Sequence, residues 1–296
     1  MKKILILSPQ PFFETRGTPL NVREILYSLS DAGYSITLLA YPFGKNLKIP
    51  NVEIIRSPGF PGINKVKIGP SFQKIILDIF FFFKALKLSF TNSYDVFHGV
   101  EEAAHMACIL ASLKGKPFIA DVDSCIPEQL KNSGFITNKF LLGALTKVEK
   151  ICFGRAKKVL TVCQALSDQV IKIQPNAIIT QIEDFPIYEE GDSESFELRS
   201  KYSIPDNSKI LLYAGNFESY QGVELLIRSF SEVIKQGLKT HLVLVGGEEK
   251  HIATYKELAK SLNSENYIIF TGPLDSKLMP SIHSQADILV SPRLCG

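Results

Sequence analysis

Short runs of apolar, often β-branched residues alternate along the chain with longer stretches whose apolar residues recur at helical spacing. Such alternation predicts an α/β fold, in which helices link parallel strands. In the first half the pattern predicts strands at 3–7, 35–40, 52–56, 96–98, 117–120 and 158–162, and helices at 18–32, 72–89, 101–114 and 138–155. The loops 8–17, 99–101 and 121–127 then lie at the carboxyl edge of the sheet, where open α/β sheets bind ligands.

The pattern changes after a strand predicted at 177–180. Acidic and turn-forming residues, among them Asp184, Gly191 and Pro205, predict a linker over 184–208. Alternation then resumes, with strands predicted at 209–214, 241–245, 267–270 and 288–290 and helices at 223–235, 252–262 and 278–286.

We therefore predict two doubly wound, Rossmann-like domains that face each other across a cleft. The N-terminal domain covers residues 1–183, and the C-terminal domain covers 209–296. We expect the second domain to be incomplete, because such a unit normally needs roughly 150–200 residues.

The formal net charge is +3, but charge is unevenly distributed along the chain. Up to Lys158 the chain holds 21 basic and 12 acidic residues, and beyond it 12 basic and 18 acidic residues. A basic first half predicts an anionic partner, either a phosphate-bearing substrate or a membrane surface. Nucleic acid is not expected, because no basic run is interleaved with aromatic residues.

Cysteines and apolar runs predict a reduced, cytoplasmic protein. The five cysteines, at positions 108, 125, 152, 163 and 295, form no Cys-x-x-Cys pair and no zinc-binding spacing. The apolar run 4–7 is too short for a signal peptide. The strongest membrane candidate, 75–83, contains Asp78 and is far shorter than the roughly 20 residues of a spanning helix, so we predict no transmembrane segment.

The loop after the first strand is a candidate anion site. Gly17 permits close backbone approach, the helix that starts at Thr18 offers free N–H groups, and Arg16 adds a forked donor. An ordinary helix cap, with Pro19 near the first helical position, explains the same residues equally well.

Two carboxylates follow the strand at 117–120. Asp121 and Asp123 share one face of an extended chain, but a metal clamp needs further oxygen ligands and only Glu128 lies nearby in sequence, so no metal is expected. We prefer Asp123 as a single hydrogen-bond acceptor or base, and a helix cap is the alternative.

A histidine and two glutamates follow the strand at 96–98. His98 ends that strand just before Glu101 and Glu102 and is well placed for a cleft, although a capped or internally bonded histidine is a strong competitor. Glu102 and His105 lie on one helical face, but a carboxylate-bridged metal site needs a second helix with the same motif, which is absent.

Glycine-containing loops follow two successive strands of the second half. Gly215, Asn216, Gln221 and Gly222 follow the first of these strands, and the pair 246–247 follows the next. Glycines there allow a nucleotide and its phosphates to approach the backbone, although each loop alone is also explained by turn formation.

Together these motifs resemble the family 4 glycosyltransferases of the GT-B fold, which are retaining enzymes that use nucleotide-diphosphate sugars. The segment Gly215-Asn216-x4-Gln221-Gly222-x3-Leu226-x3-Phe230 is similar to the family's Gly-Arg-x4-Lys-Gly-x3-Leu-x3-Phe. Tyr94 to His98, Phe270 to Gly272 and Ala286 to Pro292 match other landmarks, so the resemblance runs along essentially the whole chain.

This resemblance implies transfer of a sugar from a nucleotide-diphosphate sugar to a glycan or a lipid-linked acceptor, without a cofactor. It implies that Asp123 and His98 orient the acceptor or the sugar in the catalytic site. It further implies an acceptor or phosphate loop and a donor site, formed respectively by Arg16, Gly17, Thr18, Glu101 and Glu102, and by Gly215, Asn216, Gln221, Gly222, Gly246, Gly247, Pro292 and Arg293.

Peripheral contact with the inner face of a membrane is compatible with the basic first domain and with the phenylalanine run 80–83. A helix buried on the sheet is the preferred explanation of those phenylalanines.

Departures from the family pattern define an alternative function. Asn216 and Gln221 stand where the family has Arg and Lys on the donor diphosphate, and they bring no positive charge. Asp123 stands where many members have a cleft histidine, and the Glu-x7-Glu motif expected shortly after Pro292 is absent. The alternative is a truncated or degenerate GT-B chain that acts as a fragment or a partner subunit without independent activity. A nucleotide-sugar epimerase on the same fold is less favoured, because no residue distinguishes it.

Overall fold

The computed structural model of the chain describes residues 1–12, 17–66, 69–132, 134–184 and 194–293. The chain divides into two compact units, Met1–Ile187 and Tyr188–Gly296. Each unit is an α/β sandwich with its own parallel sheet, as the alternating pattern predicts.

The described part of the first unit contains a parallel sheet of seven strands. These are β1 (Lys3–Ser8), β2 (Ser35–Ala40), β3 (Val52–Arg56), β4 (Val96–Val100), β5 (Phe118–Val122), β6 (Lys158–Thr161) and β7 (Ile179–Gln181). Their order in the sheet is β3-β2-β1-β4-β5-β6-β7. The winding direction reverses between β1 and β4, and such a switch point opens a crevice at the carboxyl ends of the two strands.

Helices cover both faces of this sheet. They are α1 (Gly17–Asp31), α2 (Phe72–Thr91), α3 (Ala103–Lys114), α4 (Ile126–Asn132), α5 (Lys139–Arg155) and α6 (Gln164–Ile173). The hydrophobic pattern predicts four of them within a few residues but not α4 and α6. Each of these two spans ten residues or fewer, so the helical period is sampled over too few positions.

Helix α2 shows how the core is built. Ser71 Oγ accepts a hydrogen bond from Lys74 N at 3.2 Å and caps the first turn. Leu77, Phe81 and Ala85 recur at a spacing of four and are fully buried on the sheet. Burial of the phenylalanine run was the preferred prediction, and it is right for Phe81, whereas Phe83 points outward and is 62% exposed.

The described part of the second unit contains a four-stranded parallel sheet. Its strands are β8 (Lys209–Ala214), β9 (Thr240–Val245), β10 (Ile268–Gly272) and β11 (Ile288–Leu289), in the order β10-β9-β8-β11. Helices α7 (Leu198–Tyr202), α8 (Val223–Lys235), α9 (Glu249–Ser261) and α10 (Met279–Ser284) accompany it. Here the winding direction reverses between β8 and β11, so the crevice of this sheet lies between their carboxyl ends.

Part of the predicted linker 184–208 belongs to the second unit. Residues 185–193 lie outside the described ranges. The rest contains α7 and the buried side chains of Phe196, Leu198 and Ile204, which pack with residues of β8 and β9. The segment predicted as a linker therefore contains a short helix that packs against the second sheet, and its acidic and turn-forming residues gave no sign of this helix in the sequence pattern.

Most of the cysteines in the described ranges are buried. Cys108, Cys125 and Cys152 are buried free thiols, and Cys163 is an exposed one. Cys295 lies outside the described residues. Within the described ranges, no helix combines the length and the apolar character that crossing a bilayer requires.

Replacing Phe81 tests the placement of α2. Phe81→Ala should lower the free energy of unfolding by about 3–5 kcal/mol, because a fully buried ring leaves a cavity. Phe83→Ala, in the same helix but exposed, should change it by less than about 0.5 kcal/mol. Urea denaturation followed by circular dichroism measures both. Equal losses for the two variants would contradict the orientation of this helix.

Candidate active site

Polar side chains from four segments meet at the switch point of the first sheet. Gln10 follows β1, Thr18 lies in the first turn of α1, Glu101 follows β4 and Asp123 follows β5. Neighbouring parallel strands bring their carboxyl ends to one edge, so residues up to 113 positions apart in sequence become neighbours. The loops that the sequence pattern places at this edge are thus brought together.

Glu101 lies at the centre of this group. Gln10 Nε2 donates a hydrogen bond to its Oε2 at 2.8 Å, and Thr18 Oγ1 donates to its Oε1 at 3.4 Å. The backbone of Glu101 has a φ of 52°, an uncommon conformation for this residue type. Burial, followed by the charge of Glu102, raises the pKa of the Glu101 carboxyl. These contacts fix one carboxyl group at the edge of the sheet.

Asp123 supplies a second carboxyl group. The pKa of Asp123 is raised to about 8, mainly by burial and then by the charges of Asp121 and Glu101, while a hydrogen bond from Thr18 opposes the shift. Its Oδ1 is enclosed and has no hydrogen-bond partner among the described residues. An enclosed acceptor is costly unless a bound molecule donates a hydrogen bond to it. This oxygen is therefore suited to a ligand hydroxyl.

His98 lies within strand β4, whereas Glu101 and Asp123 lie in the loops that follow β4 and β5. Its Nε2 lies 2.9 Å from Asp121 Oδ2, and only 3% of the surface of each residue is exposed. The two residues lie on the adjacent strands β4 and β5. The structure places the predicted His98 in a buried pair that holds Asp121, which is the internally bonded alternative named for it above.

A second polar network adjoins Glu101, and sequence reasoning missed it. Lys74 of α2 forms an ion pair with Glu102, and Tyr41 Oη donates to Asp78 Oδ1 at 2.5 Å. Burial and, after it, the charge of Glu102 raise the pKa of Asp78 to about 7, against the lowering effects of the Tyr41 hydrogen bond and of Lys74. Burial alone would lower the pKa of Lys74, but the charges of Glu102 and Glu101 outweigh it and raise the pKa. The available signal was a lysine and an aspartate four residues apart at the start of the apolar stretch 75–83.

Side chains at this edge bond to each other rather than forming a cage. Asp121 is bonded to His98, and Glu102 to Lys74. Across the described ranges, no group of three or more His, Cys, Asp or Glu residues is arranged to hold a metal ion.

The remaining residues of the predicted acceptor or phosphate loop are Arg16 and Gly17. Arg16 lies outside the described residues. Gly17 begins α1, and a Cβ added there would meet no atom of the described residues within 4 Å. Packing therefore does not require glycine at this position, and its role toward a ligand stays a prediction.

In the second unit, the segment after β11 meets the loop after β8 at the switch point. Arg293 Nε donates to Gln221 Oε1 at 3.2 Å. Asn216 Oδ1 accepts a hydrogen bond from Glu218 N at 3.1 Å. Gly222, with a φ of 72°, precedes the first turn of α8. A cation, two amides and a helix start thus lie around one crevice.

Packing explains why two glycines follow β9. Gly246 and Gly247 have φ values of 109° and 79°. A Cβ on Gly246 would overlap the carbonyl oxygen of Gly215, and a Cβ on Gly247 would overlap the ring of Phe217. These positions need glycine whether or not a nucleotide binds, so their contact with a donor stays a prediction.

Two family models match the chain. The model described as glycosyltransferase family 4 matches residues 17–182, and the model described as glycosyl transferases group 1 matches residues 194–294. The division between them falls near the boundary of the two compact units.

Curated proteins are similar to part of the chain. Alpha-monoglucosyldiacylglycerol synthase of Streptococcus pneumoniae is 30% identical over 128 residues, which cover 43% of this chain and 29% of that protein. The matched part therefore spans less than a third of that curated relative.

Among solved structures, sucrose-phosphate synthase from Thermosynechococcus elongatus has a TM-score of 0.72 at 16% identity, covering 99% of this chain and 76% of that one. Alr3699/HepE from Anabaena, solved in complex with UDP, has a TM-score of 0.69 at 15% identity, covering 100% and 75%. These likenesses show the fold.

The family 4 model alone covers more than half of the chain, and the group 1 model covers nearly all of the second unit. The motifs quoted from the sequence identified the same family. The chain therefore belongs to the group 1, family 4 glycosyltransferases of the GT-B fold.

Proposed function

We propose that the protein transfers a sugar from a nucleotide-diphosphate sugar to a hydroxyl group of a glycan or lipid-linked acceptor in the cytoplasm, with retention of configuration and without a cofactor. The acceptor oxygen forms a bond to the anomeric carbon as the bond from that carbon to the diphosphate breaks. The acceptor proton passes to the departing diphosphate. In a chain of this family, the convergence of polar side chains on the switch point of each sheet carries the proposal.

The first site favours an uncharged sugar hydroxyl over a phosphate. Glu101 and Asp123 lie at this edge, and Asp121 and Glu102 lie behind them. Among the described residues of this group, Lys74 is the cation, and it is already paired with Glu102. A phosphate here would meet carboxylates, whereas hydroxyl groups can donate to carboxylate and amide oxygens. Any phosphate of the acceptor is then expected to lie away from this edge.

Each residue of this site has a separate role in the proposal. Asp123, as a carboxylate, accepts a hydrogen bond from the reacting hydroxyl through the unpartnered Oδ1. Glu101, held by Gln10 and Thr18, accepts from a second hydroxyl of the same sugar. His98 acts as a positioning residue, because its ring reaches the site only through Asp121.

Arg293 is the cation of the donor site. The residues proposed to contact the donor are glycine, asparagine, glutamine and proline apart from this arginine. Its Nε is bonded to Gln221, which aims the guanidinium across the crevice between β8 and β11. An arginine in that position is suited to the departing diphosphate. The UDP complex of a protein with the same fold supports a nucleotide donor here.

The alternative is a chain that folds and does not transfer sugars by itself. Neutral residues at positions 216 and 221 favour it, since Asn216 already bonds to Glu218 within its own loop. Calorimetric titration of the purified protein with UDP-, GDP- and ADP-sugars separates the two functions. Binding of one donor, followed by mass-spectrometric detection of a glycosylated acceptor, is expected for the enzyme. Absence of heat with every donor would favour the alternative.

The transfer rate should depend on the protonation of Asp123. Its carboxylate is the active form, so kcat/KM should rise as the pH increases through about 8, the pKa of this group. Asp123→Asn should lower kcat/KM by about 10- to 100-fold, as loss of a hydrogen bond to a charged group does, and should abolish the rise with pH. The exposed Asp206→Asn is the matched control. A variant at position 123 that keeps the pH dependence of the wild type would exclude this role.

Removal of Arg293 should weaken donor binding. Arg293→Gln should raise the Kd for the preferred nucleoside diphosphate by about tenfold or more, because a charge-assisted hydrogen bond to phosphate is lost. Arg228→Gln, on the exposed face of α8 where Arg228 pairs with Glu224, should leave the Kd unchanged. Calorimetry measures both values.

Moving the positive charge provides a stricter comparison. The double variant Gln221→Lys, Arg293→Gln returns a cation to the same crevice and should recover part of the lost affinity. Equal Kd values for the wild type and Arg293→Gln would show that position 293 does not contact the diphosphate.

A further inference from the structure

The outer side of α2 carries an exposed apolar stripe. Phe72, Ile75, Ile79, Phe83 and Phe90 recur at spacings of three, four, four and seven residues, which places them along one face of the helix. All five are exposed, and the most exposed, Phe72, shows 77% of its surface. The opposite face of this helix is buried on the sheet, so the outward stripe is additional to the core.

The neighbouring helices α3 and α5 also expose apolar side chains, and α3 contacts both α2 and α5. Ile109 and Leu113 of α3 are exposed, as are Phe140, Val148 and Ile151 of α5. Lys114 Nζ lies 4.6 Å from the centre of the Phe90 ring and connects α3 to α2. We name the outer side of α2, α3 and α5 the apolar face.

The apolar face is larger than single exposed side chains would produce. Its four most exposed apolar side chains are the phenylalanines Phe72, Phe83, Phe90 and Phe140, whose exposure ranges from 62% to 88%. With roughly 150–250 Å² for a phenylalanine, these four rings alone expose roughly 400–700 Å². Soluble monomers seldom exceed about 300–600 Å² in their largest apolar patch, and such patches mark interaction sites.

The exposed charged residues on these three helices are mostly basic. Besides Lys74, which is paired with Glu102, the three helices contain Lys84, Lys87, Lys114 and four further basic residues between positions 139 and 155. Their acidic residues are Asp78, which is bonded to Tyr41, and Glu149, which is buried and accepts from Ile126 N. The helices are described in full, and of these carboxylates Glu149 is buried and Asp78 is half-buried. The apolar face is therefore bordered by lysines without exposed acidic partners.

We infer that the apolar face docks the protein onto an anionic lipid surface. Phenylalanine and aliphatic side chains enter the interfacial layer, and the surrounding lysines meet the negatively charged headgroups. Helix α2 lies flat on the surface, because its inner side remains packed on the sheet. A second copy of the chain fits this face less well, since a symmetric dimer would bring the same lysines against each other.

The position of the face relative to the candidate site supports this inference. Phe72 and Lys74 lie in the first turn of α2, and Lys74 forms an ion pair with Glu102 beside Glu101. The Phe72 ring also packs against Phe135, with 5.2 Å between ring centres. Docking therefore brings the carboxyl edge of the first sheet close to the headgroups, where a lipid-linked acceptor would be held. This last step rests on the proposed function, whereas the docking itself does not.

Vesicle flotation tests the docking with the whole protein and without any activity measurement. The protein should float with vesicles of phosphatidylcholine and phosphatidylglycerol and remain behind with vesicles of phosphatidylcholine alone. Binding should weaken as salt is raised, because exposed charges are screened. Lys147→Gln, Lys150→Gln should lower the partition coefficient about 25-fold, at roughly fivefold for each lysine. The matched control is Lys256→Gln, Lys260→Gln on α9 of the second unit, which should have no effect.

Phe72→Ser, Phe140→Ser removes two exposed rings and should reduce the partition coefficient at least about tenfold. Circular dichroism and urea denaturation should show an unchanged fold, because neither ring belongs to the core. Equal binding to both vesicle types, or none to either, would overturn the inference. A dimer by light scattering that dissociates in this variant would also overturn it and assign the face to a second copy.

Discussion

The ion pair between Lys74 and Glu102 ties the first turn of α2 to the end of β4, directly beside Glu101 at the centre of the first site. Breaking a fully buried pair costs about 3–5 kcal/mol, and this one less, because 19% and 22% of the two side chains are exposed. The pair also fixes the rotation of α2 about its axis. With Lys74 turned to the sheet edge, Phe81 enters the core and Phe72 faces outward. One contact thus sets both the polar edge and the apolar face.

In the first unit, basic residues border the apolar face and carboxylates gather at the switch point. The overall basic excess therefore does not describe the charge of the candidate site. The 21 basic residues up to and including Lys158 include those that border the apolar face, whereas the carboxylates converge on the switch point. Burial there raises the pKa of Asp123 and Glu101, which reduces the repulsion between them. The partner inferred from the basic excess is therefore a surface met by the helices, while the site itself suits uncharged hydroxyl groups.

Sequence reasoning succeeds where the signal is local. Strand and helix bounds follow from apolar runs and helical period, so β2, β3 and β8 have the bounds predicted for them. It fails where a contact joins distant segments, as for Gln10 and Glu101, which are 91 positions apart. The histidine at 98 was expected at a cleft, but its partner Asp121 lies two residues beyond its register neighbour on the next strand. Such diagonal pairing depends on strand register, which the pattern does not encode.

The same reasoning applies to the proposed donor site, where the neutral residue at position 221 has a partner that is distant in sequence. Gln221 accepts a hydrogen bond from Arg293, 72 positions away. A lysine at 221 would place a second cation within hydrogen-bond distance of that arginine, at a cost in repulsion. A neutral glutamine instead orients the guanidinium through its side-chain oxygen. Gln221 and Arg293 therefore form one arrangement, in which the cation lies in the segment after β11 and the loop after β8 supplies the oxygen that orients it.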